Sequence, residues 1–292
     1  MAEITAARVK ELREITGLGM MECKRALEEA GGDIKKAEDL LRIKSGAKAS
    51  KAAGRVAAEG VIGSWLAPER KLGALVEVNC ETDFVAKNED FLVFARGLAE
   101  VVAKENPADV AALGKLQIDG QEVEARRQAL VQKIGENMSI RRLVRIATTA
   151  KLVQYVHGVK IGVMVEYEGD DELGKGVAMH IAFAKPLFLS KADVAPEVLA
   201  RERSVQEARA RESGKSPEIA AKMIDGALNK FLGEITLLGQ PFVLNDKLTV
   251  EKALTEKKTK VRGYRFLVVG EGIEKKTGDF AAEVMAQAGA AR

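Results

Sequence analysis

Glu77-Val78-Asn79-Cys80-Glu81-Thr82-Asp83-Phe84-Val85-Ala86-Lys87 is the stretch on which the reading of this chain turns. It joins an expected strand over residues 72–78 to an expected helix in which Phe91, Phe94, Ala95, Leu98, Val101 and Val102 share one face. Asn88, Glu89 and Asp90 stand near the start of that helix, where its dipole favours negative charge. Phe84 therefore occupies a strand-to-helix junction beside the polar side chains of Thr82 and Asp83. Two readings are open for it: a ring that closes the local core, the commoner outcome for an aromatic, and a ring presented to a partner.

Upstream, residues 60–66, the turn Pro68-Glu69-Arg70-Lys71 and residues 72–78 read as an antiparallel hairpin. Residues 1–45 read as three short helices. Thr5 caps the first, which carries Val9, Leu12 and Ile15 on one face. Gly17 and Gly19 break it, and Cys23, Ala26, Leu27 and Ala30 line the second. Asp33 caps a third with Ile34, Ala37, Leu40 and Leu41. Residues 46–57 hold scarcely any large apolar side chain and read as a linker, or as a helix too poor in apolar surface to dock firmly.

Downstream, a helix over about 121–134 and a strand over 140–147 complete a first half. A second hairpin turns at His157-Gly158, and a helix follows over about 172–184. Leu72-Gly73-Ala74-Leu75-Val76-Glu77 is echoed by Ile161-Gly162-Val163-Met164-Val165-Glu166, which suggests two related halves. Pro196 and Pro217 each open a helix around a turn at Ser213-Gly214. The return helix is apolar at Ile219, Ala220, Met223, Ile224, Ala227, Leu228 and Phe231, whereas its partner is charged, which suits a projecting antiparallel coiled coil. A short helix near 249–257, a strand over 261–269 and a helix from about 279 close the chain.

The expected fold class is thus α+β. The divisions are an N-terminal helical module with linker (1–55), a first core half (56–150), a second core half (151–192, resumed at 233–270), a coiled-coil insertion (193–232) and a C-terminal helical module (271–292).

Composition narrows the function. The chain has 292 residues, 47% apolar and 30% charged, with a net charge of +3, and no concentrated basic face of the kind a duplex-DNA binder shows. Cys23 and Cys80 form no metal or disulfide pattern and read as small buried hydrophobes in a reducing cytoplasm. The N-terminus shows no secretory signal, and no apolar run reaches the ~18 residues of a membrane span. The expected location is cytoplasmic. Gly214-Lys215-Ser216 resembles the end of a phosphate-binding loop, but Arg209 stands where a glycine is needed, and the segment lies between helices. Neither His157 nor His180 has a partner at metal-ligand spacing, and His180, among Met179, Ile181 and Ala182, reads as a packed structural residue. No nucleophile elbow is present. Lys44, Lys48, Lys51 and Arg55 read as a solvated face or tether, since no aromatic residue interleaves for base stacking. A binding protein without catalytic chemistry is the expectation.

Two stretches carry a resemblance: residues 13–27, Arg13-Glu14-Ile15-Thr16-Gly17-Leu18-Gly19-Met20-Met21-Glu22-Cys23-Lys24-Arg25-Ala26-Leu27, and the opening stretch at 77–87. Both resemble elongation factor Ts of the bacterial type. The likeness continues in Lys133-Ile134-Gly135-Glu136-Asn137, in Tyr155-x-His157-Gly158, in Gly239-Gln240-Pro241-Phe242-Val243 and in Glu271-Gly272-Ile273-Glu274-Lys275. Glu81 departs from a Gln of some relatives and adds a negative charge near the contact.

The resemblance implies an N-terminal module of the ubiquitin-associated type, and a guanine-nucleotide exchange factor that acts on elongation factor Tu without a cofactor, metal or catalytic site. It implies that Thr82, Asp83, Phe84 and Val85 wedge near the partner's magnesium and phosphate region. Arg13, Met20 and Met21 would meet the partner's nucleotide domain, and His157 a further contact. Met20 and Met21 are adjacent, so both cannot face one core stripe. No membrane and no direct nucleic-acid contact are implied. A homo-oligomer and a two-to-two complex stay open, as do two other classes, a helical adaptor and an RNA- or ribosome-associated protein.

Overall fold

The computed structural model describes residues 4–274. The helix expected from about residue 279, and with it most of the 271–292 module, lies outside the described residues. The chain divides into two compact units: one takes the chain up to Gly63, then Val76–Leu143 and on from Val268; the other takes Ser64–Leu75 and Val144–Leu267.

The first unit begins with α1 (Ala6–Thr16), α2 (Met20–Glu29) and α3 (Ile34–Ala52). Thr5 caps α1 by accepting the Arg8 N–H, and Asp33 caps α3 by accepting the Lys36 N–H. Gly17 ends α1 in the left-handed region, at φ 68°. Leu12, Cys23, Leu27, Ala37 and Leu41 form the shared core. Ile15, expected on the buried face of α1, is exposed.

Residues 46–52, expected as a linker or weakly docked helix, continue α3. Ser45, Ala49 and Ala52 are buried, and α3 packs along α6 (Val123–Ile134). Small side chains let two helix backbones approach closely, so what the segment lacks in apolar bulk it regains in proximity.

Next come β1 (Glu59–Leu66), β2 (Leu72–Cys80), α4 (Glu89–Glu105), α5 (Val110–Gly114), the short strands β3 (Gln117–Ile118) and β4 (Gln121–Glu122) before α6, and β5 (Met138–Ala147). One sheet has the order β1-β2-β5. Asn88 caps α4 by accepting the Phe91 N–H. Burial of Phe91, Phe94 and Leu98 contributes up to about 1.5–3 kcal/mol each. Gly63 permits the approach of β1 to α4: a Cβ there would lie 1.9 Å from the Ala95 carbonyl oxygen.

The second unit contains β6 (Lys151–His157), β7 (Ile161–Glu168), α7 (Asp171–Ala184), α8 (Pro196–Glu212), α9 (Pro217–Ile235), β8 (Pro241–Phe242), β9 (Asn245–Thr249), α10 (Val250–Glu256) and β10 (Lys260–Val268). Its sheet has the order β10-β7-β6, with β6 and β7 antiparallel, and α7 packs on both of those strands. The echoed segments thus lie in β2 and β7, each the central strand of a three-stranded sheet and each followed by a helix. α8 and α9 start at their prolines and pack on each other as a helical hairpin.

His180 of α7 is buried. Its Nδ1 accepts the Val243 N–H at 3.2 Å, which leaves the proton on Nε2, 2.9 Å from Gln240 Oε1. The packed structural role expected for His180 is what the geometry gives. Burial pushes its pKa below the usual 6.5, against the Gln240 hydrogen bond. Above that pH, folded and unfolded chains both carry neutral imidazole. Below it, the unfolded chain binds a proton that the folded chain refuses until its own lower pKa is reached, so stability falls as pH drops. This residue should contribute up to about 1.4 kcal/mol per pH unit over the range just below pH 6.5. Urea unfolding of His180→Asn should show a flatter pH dependence there than the unaltered chain; identical slopes would contradict this assignment.

Candidate functional site

β2 ends at Cys80, whose thiol points to the Thr82 carbonyl oxygen at 3.2 Å. A single 3-10 turn, Val85–Lys87, then leads into α4. The Asn88 N–H donates to the Val85 carbonyl (2.9 Å) and the Lys87 N–H to the Phe84 carbonyl (3.1 Å). Val85 and Ala86 are buried and seat the turn. Phe84, at the lip of the turn, is 80% exposed, so it does not close the local core. Beside it, Asp83 is exposed and ion-paired with Lys87 at 2.8 Å. The Lys87 ammonium holds the Asp83 carboxyl below the usual carboxylate range, and also lies 5.9 Å from the centroid of the Phe84 ring.

The loop is held from behind by the segment after α6. Glu136 accepts the Thr82 N–H at 3.0 Å and the Thr82 hydroxyl at 2.6 Å, and Glu81 in turn accepts the Asn137 N–H. Arg55 pairs with Glu81 at 3.2 Å and donates to the Gly135 carbonyl at 3.0 Å, while the Asn137 amide donates to the Arg55 carbonyl at 2.7 Å. Gly135, at φ 88°, ends α6 in the left-handed region and lets the chain turn into this clasp. Two stretches singled out in the sequence, 77–87 and 133–137, are thereby brought together. Glu81, expected to add a negative charge near the contact, is paired with Arg55 and accepts the Asn137 N–H.

Beneath the loop, Glu77 is a fully buried carboxylate. It accepts the Gly270 N–H (2.8 Å), Arg141 Nη1 (3.1 Å), Asn79 Nδ2 (3.2 Å) and Arg142 Nε. Arg142 also reaches Glu271 (3.1 Å), and Arg141 donates to the Glu271 carbonyl (2.6 Å). Burial alone would raise the Glu77 pKa. The Gly270 N–H and the two guanidinium groups more than offset it, holding the carboxyl below its ordinary value. No local sequence signal pointed to this network, because its members lie far apart in the chain.

Of the other expected contact residues, Arg13 is exposed near the end of α1. Met20 and Met21 open α2, and both are exposed, Met21 at 62%. Ile15, near the end of α1, is exposed as well. Glu22, next to Met21, accepts Lys48 Nζ (2.6 Å) and Gln132 Nε2 (2.9 Å), which ties α2 to α3 and α6. Lys44 pairs with Glu29 at 2.7 Å. Lys44, Lys48 and Arg55 are exposed, as the solvated face read from the sequence requires, and each also makes a surface ion pair, with Glu29, Glu22 and Glu81 respectively. His157 belongs to the other unit, where it is exposed at the end of β6 with Nδ1 3.0 Å from the Tyr155 hydroxyl. Among the described residues no group of three or more His, Cys, Asp or Glu side chains could hold a metal ion. No helix of the described residues is long and apolar enough to cross a membrane.

The profile of the family described as Elongation factor TS matches residues 81–271. Proteins named Elongation factor Ts align along the full length. The one from Nitrosospira multiformis is 60% identical over 297 aligned positions, covering 100% of this chain and 98% of the relative. Those from Cupriavidus pinatubonensis and Chromobacterium violaceum are each 58% identical, covering 99% or more of this chain and 99% of each relative. The chain belongs to the elongation factor Ts family. In this family member the matched region begins at Glu81, inside the Phe84 loop, and ends at Glu271, a partner of Arg142.

Glu77→Gln removes the charge on which both guanidinium groups converge. It should cost about 1.5–3 kcal/mol in urea unfolding at neutral pH, the loss of charge-assisted bonds. A change below a few tenths of a kcal/mol would show that the network is not holding the sheet.

Proposed function

We propose that this chain is a guanine-nucleotide exchange factor for elongation factor Tu in cytoplasmic protein synthesis, and that it acts as a wedge without catalytic chemistry of its own. The observation that carries the reading is Phe84: a large apolar ring, 80% exposed, on a short turn anchored at both ends. Exposing such a ring gives up its burial energy in the free protein, which is recovered when a partner covers it.

In the proposed complex, Phe84 and Asp83 enter near the partner's magnesium and phosphate-binding elements, with Thr82 and Val85 seating the turn behind them. Arg13, Met20 and Met21 meet the partner's nucleotide domain, and His157 supplies a contact from the other unit. The α8–α9 hairpin is proposed to be an antiparallel coiled-coil insertion at 193–232, and the first three helices a module of the ubiquitin-associated type within 1–55. The first core half is proposed at 56–150, the second at 151–192 and 233–270, with a C-terminal helical module at 271–292.

The mechanism is a linkage. A conformation of the partner that accepts Phe84 but has lost its magnesium contacts binds nucleotide more weakly, because the metal bridges phosphate oxygens. The factor by which this protein weakens nucleotide binding must equal the factor by which nucleotide weakens the complex. Burying the Phe84 ring contributes about 1.5–3 kcal/mol, one to two decades of release rate at about 1.4 kcal/mol per decade.

Phe84→Ala should therefore slow stimulated release of a fluorescent GDP about 10- to 100-fold while leaving thermal unfolding of this protein unchanged. An unaltered release rate would rule out the wedge.

A further inference from the structure

The exposed ring of Phe84 sits on a turn closed by bonds from the Ala86, Lys87 and Asn88 N–H groups, and its N-terminal side is held in addition from outside the turn. The Thr82 hydroxyl is the link. It lies 3.4 Å from the Val85 N–H, at the start of the 3-10 turn, and donates its proton to Glu136 at 2.6 Å. The same Glu136 carboxylate accepts the Thr82 N–H at 3.0 Å. One side chain from the segment after α6 thus accepts both the N–H and the hydroxyl of the residue two positions before Phe84. Its own backbone is held by its neighbours, Gly135 through Arg55 and Asn137 through Glu81.

We propose that Glu136 is a positioning residue for nucleotide exchange: through its two bonds to Thr82 it keeps the turn preset, so that Phe84 is presented in one direction before the partner arrives. The proposal rests on the wedge reading. It adds a residue that has no need to touch the partner and that acts through another side chain.

The physical basis is preorganisation. A ring on a turn that samples many directions loses that freedom on binding, and the loss subtracts from what its burial contributes. A bidentate carboxylate acceptor removes the freedom in advance, and charge-assisted bonds are the stronger kind. Glu136 is half-buried, which limits the water that could take its place.

The test uses the full-length chain with three substitutions, Glu136→Ala, Glu136→Gln and Phe84→Ala, plus the double variant Glu136→Ala/Phe84→Ala. Amide hydrogen exchange of Thr82 and Val85 is followed by NMR, and stimulated GDP release from elongation factor Tu is followed in parallel. With Glu136→Ala, the Thr82 amide should exchange on the order of tenfold faster or more, with the amides of α4 and β2 unchanged. GDP release should slow several-fold. Glu136→Gln, which keeps one oxygen acceptor, should fall between. The double variant should release GDP no more slowly than Phe84→Ala alone, because Glu136 acts through the ring.

Unchanged protection of Thr82 in both Glu136 variants would overturn the proposal, as would additive losses in the double variant. If Phe84→Ala slows release and Glu136→Ala does not, the wedge stands and the positioning role is refuted. If neither slows it, the wedge reading itself fails. Should Glu136→Ala lose cooperative unfolding, Glu136→Gln decides the matter by the same measurements.

Discussion

Between residues 80 and 88 the chain leaves a buried strand and enters a buried helix, and Cys80, Val85, Ala86 and Phe91 take the inward positions. The 3-10 turn between them is too short to hide every side chain, so a residue at its lip must point out. That residue is Phe84. Its exposure follows from the anchoring of its neighbours, and the anchoring follows from Glu136 and Glu81, each of which accepts a backbone N–H from the other's segment. Each carboxylate thus makes its own tie between the loop and the segment after α6.

The same loop rests on β2, and β2 rests on Glu77. A carboxylate with no access to water is tolerated only because Arg141, Arg142 and the Gly270 N–H surround it. These partners come from β5 and from the segment after β10, so the network ties three distant parts of the chain to the strand that carries the loop. α2 is fastened in the same manner, through Glu22 to Lys48 and Gln132. The first unit thus carries charged joints at Glu77 and at Glu22, with exposed apolar side chains at Phe84 and at Ile15, Met20 and Met21.

Much of this was legible in the sequence where the signal is local. Thr5, Asp33 and Asn88 cap helices where their side-chain chemistry places them, and Pro196 and Pro217 open the two helices of the hairpin. The glycine breaks around α1 and α2 were equally plain. What was not legible depends on distant partners. Residues 46–52 lack large apolar side chains, and only the presence of α6 makes Ser45, Ala49 and Ala52 a docking surface. Ile15 keeps the spacing of a core residue yet lies outside. α5 and the two-residue strands are too short to show a period. At the candidate site the residues and their order could be read, but the bond of Glu81 to Asn137 and the grip of Glu136 on Thr82 could not. Pairing across some fifty positions leaves no trace in spacing.

In the proposed mechanism, retention of nucleotide by the partner and retention of this protein by the partner oppose each other through a shared conformation. Isothermal titration of this protein into elongation factor Tu, free of nucleotide and then with GDP and magnesium at saturating concentration, addresses it directly. The dissociation constant should rise steeply with GDP, by the same factor by which this protein weakens GDP binding measured separately. Equal dissociation constants with and without GDP would contradict the claim.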